Sequence, residues 1–358
     1  MSPIETCCAI APAPDGEPNT FTNVNPLWHP PGARGIYGGV AIAQSLRAAY
    51  ATVPVDFVVH SMHCHFLLAG NSSTPVLYTV EVVRDGRTFM TRSVRALQDD
   101  SCFFSTVVSF QRTAPSPASF VLADAVRPPV GTTPPVGATS ASTCSIDTEE
   151  PFETVLCEYA PGLSPATRKP CQWIKAHGRI RGDEQNGDGA AVPPLQSQLD
   201  KERSRQRAHI CALAYMSDSD FINTVSRAHG LWHFSTDEYM EQTRAKFQGN
   251  ELERIRMEAW LQNRGRDEVI NNRAAARYVG VKSPRRVKML VSLNHSIFFH
   301  NHRYIRADEW LLSEMQNPWT GEERGVVTQH IWTRDGVLVA TCIQEGVVRV
   351  SDDDRGRL

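Results

Sequence analysis

Three histidines in one short segment, His60, His63 and His65, are the first side chains whose types and spacing suggest chemistry. Imidazole nitrogens are common metal ligands, so this segment is a candidate metal site. If the segment is a strand, however, His63 and His65 share one face and His60 points to the other. No carboxylate or thiolate stands beside them at a ligand spacing. The sequence therefore predicts no metal and no other cofactor here, and the same reasoning applies to the histidines between residues 295 and 302.

Several catalytic sequence signatures are absent from the chain. It has no G-x-S-x-G elbow, which argues against an α/β-hydrolase that forms an acyl-serine intermediate. It also lacks the phosphate-binding P-loop, the dinucleotide-binding G-x-G-x-x-G and the zinc-binding H-E-x-x-H. These absences argue against the common nucleotide-dependent and zinc-dependent classes of enzyme.

The first half of the chain predicts one helix followed by four strands. Gly38-Gly39 opens an apolar stretch, residues 40–50, whose apolar positions lie near the helical period, and Pro54 ends it. Asp85-Gly86 is a strong hairpin signal between two strands. The predicted strands are residues 58–68, 76–84, 88–97 and 102–112. This order is expected when a curved antiparallel sheet wraps around a central helix.

The second half repeats this order after a linker. Residues 113–170 are rich in Pro, Ala, Ser and Thr, which predicts the linker. The predicted elements that follow are a strand at 172–181, a loop at 182–205, a helix at 206–225, and strands at 287–299, 310–315, 325–333 and 337–350. The chain is therefore predicted to be a tandem α+β protein. Its units are residues 1–112, the linker 113–170, a second unit at 171–350 and a tail at 351–358.

A long block, residues 226–290, interrupts the second unit. It holds 13 Lys and Arg against 8 Asp and Glu, and residues 251–260 and 267–278 predict helices with charged outer faces. The block predicts a solvated surface insertion; a lid or a basic rim that meets the phosphates of a bound substrate is the alternative.

Three stretches of the sequence resemble a known family. Residues 34–49 (RGIYGGVAIAQSLRAA), 59–70 (VHSMHCHFLLAG) and 338–349 (LVATCIQEGVVR) resemble the acyl-CoA thioesterase II family. The resemblance covers about residues 25–112 and 170–350. It implies a double hotdog, in which each of two tandem units wraps an antiparallel sheet around a central helix. It also implies hydrolysis of an acyl thioester without a covalent nucleophile, and the insertion is longer than the family usually has.

The same resemblance implies a catalytic trio in the second unit. Asp218 follows the family's helix motif in YMSD, Ser292 stands where the family has a Thr in SLNHS, and Gln344 matches the family's glutamine in IQEG. Asp218 would accept a proton from water while Ser292 and Gln344 orient that water. Backbone N–H groups at the start of the glycine-led helix would stabilise the oxyanion.

The family motifs also imply residues that shape the substrate pocket. These predicted substrate-binding residues are Gly38, Gly39, His60, His63, Glu345 and Gly346. The sequence departs from the family pattern at two of the motifs. Val40 replaces a glutamine after the glycine pair, and Asn294 replaces an aspartate before a histidine, so local hydrogen bonding must differ from that of the family.

Composition bounds the partners and the compartment. The formal net charge is −2, which gives no indication of nucleic acid as a partner. Nine scattered cysteines without a C-x-x-C pair predict reduced intracellular thiols, and no apolar run reaches the about 18 residues of a membrane span. The last residues, Gly-Arg-Leu, resemble a degenerate peroxisomal address, so the predicted location is cytoplasmic or peroxisomal. The expected partner is an acyl-CoA or an acyl-carrier-protein thioester, and homo-oligomerisation stays open.

Two other functions remain open from the sequence. A hotdog-fold acyl-thioester hydratase or dehydratase would need His60 or His63 to face an acid, and the sequence places no such acid. A non-hydrolytic acyl-thioester binding protein would need no base at all. Alanine at Asp218 separates these classes, because it should abolish hydrolysis only.

Overall fold

The computed structural model describes residues 1–14, 16–30, 33, 35–113, 125–129, 131–134, 150–157, 164–182, 195–247, 249–279 and 285–351. Its helices are α1 (Pro3–Cys8), α2 (Gly38–Tyr50), α3 (Leu195–Met216), α4 (Asn223–His229), α5 (Asp237–Lys246) and α6 (Glu251–Val279). Its strands are β1 (Ile10–Pro12), β2 (Thr20–Asn23), β3 (Phe57–Phe66), β4 (Leu77–Asp85), β5 (Phe89–Gln98), β6 (Ser101–Arg112), β7 (Phe152–Leu156), β8 (Cys171–Ala176), β9 (Arg286–Ser292), β10 (Asn294–Phe299), β11 (Leu311–Gly321), β12 (Arg324–Thr333) and β13 (Leu338–Ser351).

In the described part of the chain, these strands form one antiparallel sheet. The strand order is β1-β2-β4-β5-β6-β3-β10-β13-β12-β11-β8-β7, and β9 pairs with β13 beside β10. Strands β3 and β10 join the two halves, with His65 opposite Asn294 and Ser61 opposite Phe298. The sheet is therefore continuous across both halves, and each half contributes one long helix to the enclosed side.

Helices α2 and α3 fill the concave side of the sheet and run antiparallel. The Tyr37 hydroxyl, just before α2, donates to the Tyr215 carbonyl near the end of α3 at 3.1 Å. At the opposite end of α2, Arg207 of α3 donates to the Tyr50 carbonyl at 3.1 Å. Four alanines of α2 are buried, and their small side chains permit this close packing. This is the double-hotdog arrangement that the family resemblance implies.

The structure corrects several predicted boundaries. A helix is present where one is predicted at 206–225, but its bounds are wrong, because α3 begins at Leu195 within the predicted loop and ends at Met216, and a turn precedes α4. The strand predicted at 287–299 is divided by Leu293 into β9 and β10. Strand β7 lies within the range predicted as linker and pairs with β8 of the second half.

The long insertion carries α5 and α6. Helix α6 is continuous through residues 261–266, where the sequence predicts a break between two helices. Buried Met257, Trp260 and Leu261 of α6 form a small separate core with Phe234 and partly buried aromatic neighbours. Among the described helices, none combines the length and the apolar character needed to span a membrane.

Candidate active site

Asp218 lies in the turn that follows α3, not within a helix. Its side chain is 9% exposed. The turn is held by backbone hydrogen bonds from Ser217 N to Leu213 O at 2.9 Å and from Ser219 N to Met216 O at 3.0 Å. The turn therefore places the Asp218 carboxylate where the end of α3 meets the start of α2.

The start of α2 meets this carboxylate directly. Tyr37, the N-cap residue of α2, makes no side-chain hydrogen bond to the backbone N–H groups of the helix. Instead the Gly39 N–H donates to the Asp218 carboxylate, so an acid from the second half caps a helix of the first half. The positive end of the α2 dipole also favours a negative charge at this position.

Both glycines at the start of α2 are required by close approach. A Cβ at Gly39 would lie 2.2 Å from the Tyr215 carbonyl oxygen, and a Cβ at Gly38 would lie 2.5 Å from Asp218 Oδ2. Neither distance is sterically allowed. The structure therefore brings Gly38 and Gly39, both predicted from the sequence, into contact with the catalytic candidate.

Gly39→Ala is expected to lower the free energy of unfolding by about 1–3 kcal/mol, because the new methyl group overpacks the α2–α3 contact. Urea unfolding measures this change. Gly265→Ala in α6 is the matched control, because its Cβ would have an ordinary 3.6 Å contact with Ser235. That variant should gain about 0.5–1 kcal/mol. Equal effects of the two substitutions would contradict the close-approach argument.

Gln344 reaches Asp218 from a break in the sheet. Strand β13 pairs with β10 up to Ile343 and with β9 from Gly346 onward, because Leu293 separates those two strands. Gln344 is fully buried on the inner face at this break. Its Nε2 donates to Asp218 Oδ1 at 2.8 Å and to His295 Nδ1 at 3.1 Å. These bonds orient the carboxylate.

His295 completes this network, whereas from the sequence it is considered only as a metal ligand, a role that the sequence argues against. It is fully buried, and burial lowers its pKa to about 3, so the ring is neutral. Because Nδ1 accepts from Gln344, Nε2 carries the proton and donates to Ser217 Oγ at 3.1 Å. Ser217 in turn donates to the Ala214 carbonyl at 2.8 Å. The motif SLNHS contains this histidine, but only the three-dimensional contacts identify its positioning role.

Burial raises the pKa of Asp218 to about 7, although hydrogen bonds from Gln344 and the Gly39 backbone oppose the shift. A carboxylate with this pKa is partly ionised at neutral pH, and it accepts a proton more readily than an ordinary aspartate. The arrangement therefore suits general-base chemistry on a small nucleophile such as water.

The remaining second-half candidates lie around the break in the sheet. Ser292 pairs with Gly346 and shares the inner face with Gln344. It is half-buried, and no hydrogen bond between it and Asp218 or Gln344 occurs among the described residues. A Cβ at Gly346 would lie 2.5 Å from Ile222 Cδ1, so this glycine lets β13 pack against the turn that carries Asp218.

Glu345 braces the same break from the opposite face of β13. Its carboxylate accepts from Arg324 at 2.8 Å, and its N–H donates to Asn294 Oδ1 at 3.1 Å. The Leu293 N–H donates to the Glu345 carbonyl at 2.8 Å. Asn294, which departs from the family motif, is therefore used to hold β9 and β10 in place.

His60 and His63 are not brought to Asp218. A β-bulge lies between Val59 and Ser61 in the pairing of β3 with β6, and it places His60 on the same outer face as His63. The prediction that these two histidines point to opposite faces is therefore wrong. His60 contacts the exposed ring of Phe89, and His63 bonds to Ser296 Oγ at 3.0 Å.

The insertion is fastened to the turn that carries Asp218. Arg264 of α6 forms an ion pair with Asp220 at 2.6 Å, and Asp220 is 7% exposed. Burial alone would raise the pKa of Asp220, but Arg264 and Arg227 outweigh it and lower the pKa. Asp220 therefore carries its charge, and α6 holds the turn two residues from the candidate base.

Arg264→Gln is expected to lower the free energy of unfolding by about 1–3 kcal/mol, because it leaves the buried Asp220 without its ion pair. We also expect a loss of more than tenfold in kcat with a smaller change in KM, because the Asp218 turn loses its support. Steady-state kinetics and urea unfolding test both. Arg254→Gln is the matched control on α6, because its pair with Glu251 is exposed and worth little. If both variants had wild-type kcat, the supporting role would be excluded.

Among the described residues, no group of three His, Cys, Asp or Glu side chains is placed to hold a metal ion. The polar cluster at Asp218 consists of its carboxylate, the Gln344 amide, the neutral His295 imidazole and the Gly39 N–H. The carboxylate can accept a proton, and the other groups hold it in place.

Comparison with known proteins places the chain among thioesterases. The family model for the acyl-CoA thioesterase N-terminal domain matches residues 25–111, and the model for the C-terminal domain matches residues 135–348. Human acyl-coenzyme A thioesterase 8 is 30% identical over 357 residues, 92% of this chain and 88% of the relative. Acyl-CoA thioesterase 2 of Haemophilus influenzae is 26% identical and covers 90% of each chain. Peroxisomal acyl-coenzyme A thioester hydrolase 1 of Saccharomyces cerevisiae is 33% identical over 31% of each.

Solved structures confirm the predicted fold. An acyl-CoA thioesterase II from Mycobacterium marinum aligns over 98% of this chain and 99% of its own, with a TM-score of 0.60 and 23% identity. A protein with a hot dog fold from Alicyclobacillus acidocaldarius aligns over 98% of each chain, with a TM-score of 0.54 and 13% identity.

Proposed function

This chain belongs to the acyl-CoA thioesterase family and is a thioester hydrolase, and we propose that it hydrolyses acyl-CoA with Asp218 as the general base. One observation carries the assignment of the base. A buried carboxylate whose pKa is raised to about 7 lies at the start of α2, held by Gln344 and the Gly39 N–H.

The proposed reaction is a direct attack by water. Asp218 takes one proton from the water while the water oxygen bonds to the thioester carbonyl carbon, which gives a tetrahedral oxyanion. Collapse of this intermediate breaks the carbon–sulfur bond. The proton on Asp218 passes to the departing thiolate, so the products are the free acid and coenzyme A and the carboxylate is restored.

The other polar groups have distinct proposed roles. Gln344 orients the base rather than the water, because its Nε2 is shared between Asp218 and His295. Ser292, half-buried on the same face, orients the water. Since the Gly39 N–H is engaged with Asp218, the Gly38 N–H is the proposed oxyanion donor, assisted by the α2 dipole. Glu345 and Gly346 shape the pocket, and His60 and His63, on the outer face, take no part in this reaction.

Substrate range and location are part of the proposal. Acyl-CoA is favoured over an acyl-carrier protein because the relatives named above act on coenzyme A esters. A peroxisomal location is supported by the name of the yeast relative. The Gly-Arg-Leu end lies outside the described residues. Imaging a fluorescent protein that carries the last ten residues tests the location; a diffuse signal would argue for the cytoplasm.

Thiol release from a series of short, medium, long and branched acyl-CoAs tests the function. We expect turnover on at least one chain-length class, followed with a thiol-reactive dye. Acyl-pantetheine esters in parallel measure how much the nucleotide end contributes. If the folded protein released no thiol from any acyl-CoA or carrier-protein ester, the proposed hydrolysis would be excluded.

A further inference from the structure

A second ligand-sized space lies at the opposite end of the two central helices. It is a cavity of about 310 Å³ at the end of α2, bordered by α3 and by the N-terminal strands β1 and β2. This volume is at the lower end of the range of small-molecule pockets. Because α2 is 13 residues long, the cavity lies about 18 Å along the helix from the Asp218 site.

The two ends of the antiparallel α2–α3 pair correspond to each other in the duplicated fold, with the active site at one end and the cavity at the other. Asp218 follows the last residue of α3 by two positions and lies at the start of α2. The cavity lies where α2 ends against α3, and the residue two positions beyond Tyr50 is Thr52. The Thr52 hydroxyl accepts from Arg92 Nε at 2.9 Å. This end of the helix pair therefore has space for a ligand, and Thr52 stands at the position that corresponds to Asp218.

The walls of the cavity combine apolar surface with positive charge. Phe21, Tyr50 and Val55 supply apolar surface, and Arg47 and Arg207 supply two guanidinium groups. No Asp or Glu is among the described residues that line it. A ligand with an apolar body and one anionic end fits these walls, because the arginines attract the anion and no carboxylate among the described lining residues repels it.

Arg207 is held rigidly beside this space. Its Nη1 donates to the Tyr50 carbonyl at 3.1 Å, its Nη2 donates to the carbonyls of Val53, Pro54 and Phe57 at 3.5, 2.5 and 3.1 Å, and it stacks over the Tyr50 ring at 4.5 Å. Arg47 lies in the last turn of α2, on the facing helix. Because its N–H groups bond mainly to these carbonyls, Arg207 offers a carboxylate a fixed positive charge, and little side-chain freedom is lost on binding.

We propose that this cavity binds a free fatty acid, with its chain on the apolar wall and its carboxylate at the Arg47–Arg207 edge. The choice of ligand rests on the proposed function, because a fatty acid is the product of acyl-CoA hydrolysis. Because Thr52 and not a carboxylate stands at the position that corresponds to Asp218, the role assigned to this cavity is binding and not hydrolysis. The cavity is therefore a product-binding site separate from Asp218.

Calorimetric titration of the full chain with dodecanoate tests this site. The active site is first saturated with a non-hydrolysable thioether analogue of dodecanoyl-CoA, so that the remaining binding reports the cavity. We expect about one further site per chain, and Ala51→Trp, which fills the cavity from its exposed edge, should weaken it at least tenfold. Thiol release by Ala51→Trp should equal that of the wild type.

The head group provides a second test that needs no variant. Dodecanol should bind the wild type at least tenfold more weakly than dodecanoate, and Arg47→Gln should reduce this preference. No second site in the wild type, or equal binding by the wild type and Ala51→Trp, would overturn the proposal. Hydrolysis is measured separately on the same samples, so a failure of fatty-acid binding is distinct from a failure of the proposed function.

Discussion

Asp218→Asn is expected to lower kcat for acyl-CoA hydrolysis by about 10²–10⁴-fold, with a much smaller change in KM. Asparagine keeps the shape of the side chain and can still accept from Gln344 or the Gly39 N–H. It cannot take a proton from water at neutral pH. Thiol release from the best acyl-CoA of the wild type measures the effect, and a loss of less than tenfold would contradict the role of Asp218 as base.

The stability of the same variant serves as its control. Burial raises the pKa of Asp218 to about 7 from an ordinary value of 3.8, so the folded chain binds more protons than the unfolded chain between these values. The contribution of Asp218 to stability is therefore present at low pH and is lost as the pH rises towards 7. Asp218→Asn should be at least as stable as the wild type at pH 8, and any advantage should shrink at pH 5. An inactive but unfolded variant would not test the base.

Gln344→Leu is expected to lower kcat/KM about 10²-fold at pH 7. The variant removes the Nε2 donor that stabilises the ionised form of Asp218, so the pKa of Asp218 rises further. It also leaves His295 Nδ1 without the Gln344 donor, which loosens the position of the carboxylate. Activity should recover in part at pH 9, where more of the Asp218 is ionised. Kinetics at pH 7 and pH 9 measure both effects.

Two further variants separate this role from general loss of packing. Gln344→Glu keeps the shape but places a second acid beside Asp218, so it should also move the activity profile to higher pH. Gln329→Leu is the matched control, because Gln329 is equally buried on the neighbouring strand and bonds to Ser313 at 2.9 Å. Wild-type pH dependence in Gln344→Leu, or the same alkaline shift in Gln329→Leu, would exclude the proposed contact.

Much of the fold is evident from the sequence because it depends on local patterns. Helix α2 follows from a glycine pair and a helical apolar period, and strands β4 to β6 follow from alternation and turn residues. The end of α3 could not be predicted in this way. Beyond Met216 the apolar residues Phe221, Ile222 and Val225 favour a longer helix. In the structure the chain turns at residues 217–222, where Ile222 packs against Gly346 and Asp220 pairs with Arg264 of α6.

The active-site candidates divide along similar lines. Asp218 and Gln344 come from short motifs of the family, and the structure brings the two side chains together. The role of His295 depends on which residues face each other across β10 and β13, and the outer position of His60 depends on a single bulged residue. The Arg264–Asp220 pair joins the insertion, which has no family pattern, to a residue 44 positions earlier in the Asp218 turn. Only tertiary packing determines these contacts.

The pH dependence of kcat/KM tests the central claim most directly, because it reports ionisation of the base in the free enzyme. Wild-type hydrolysis of a single acyl-CoA, measured between pH 5 and pH 9, should rise about tenfold per pH unit at low pH and level off near pH 7, where Asp218 becomes ionised. Asp218→Asn should have a low rate without this rise. A wild-type rate that is constant from pH 5 to pH 8, or the same rise in Asp218→Asn, would contradict the assignment of Asp218 as the general base.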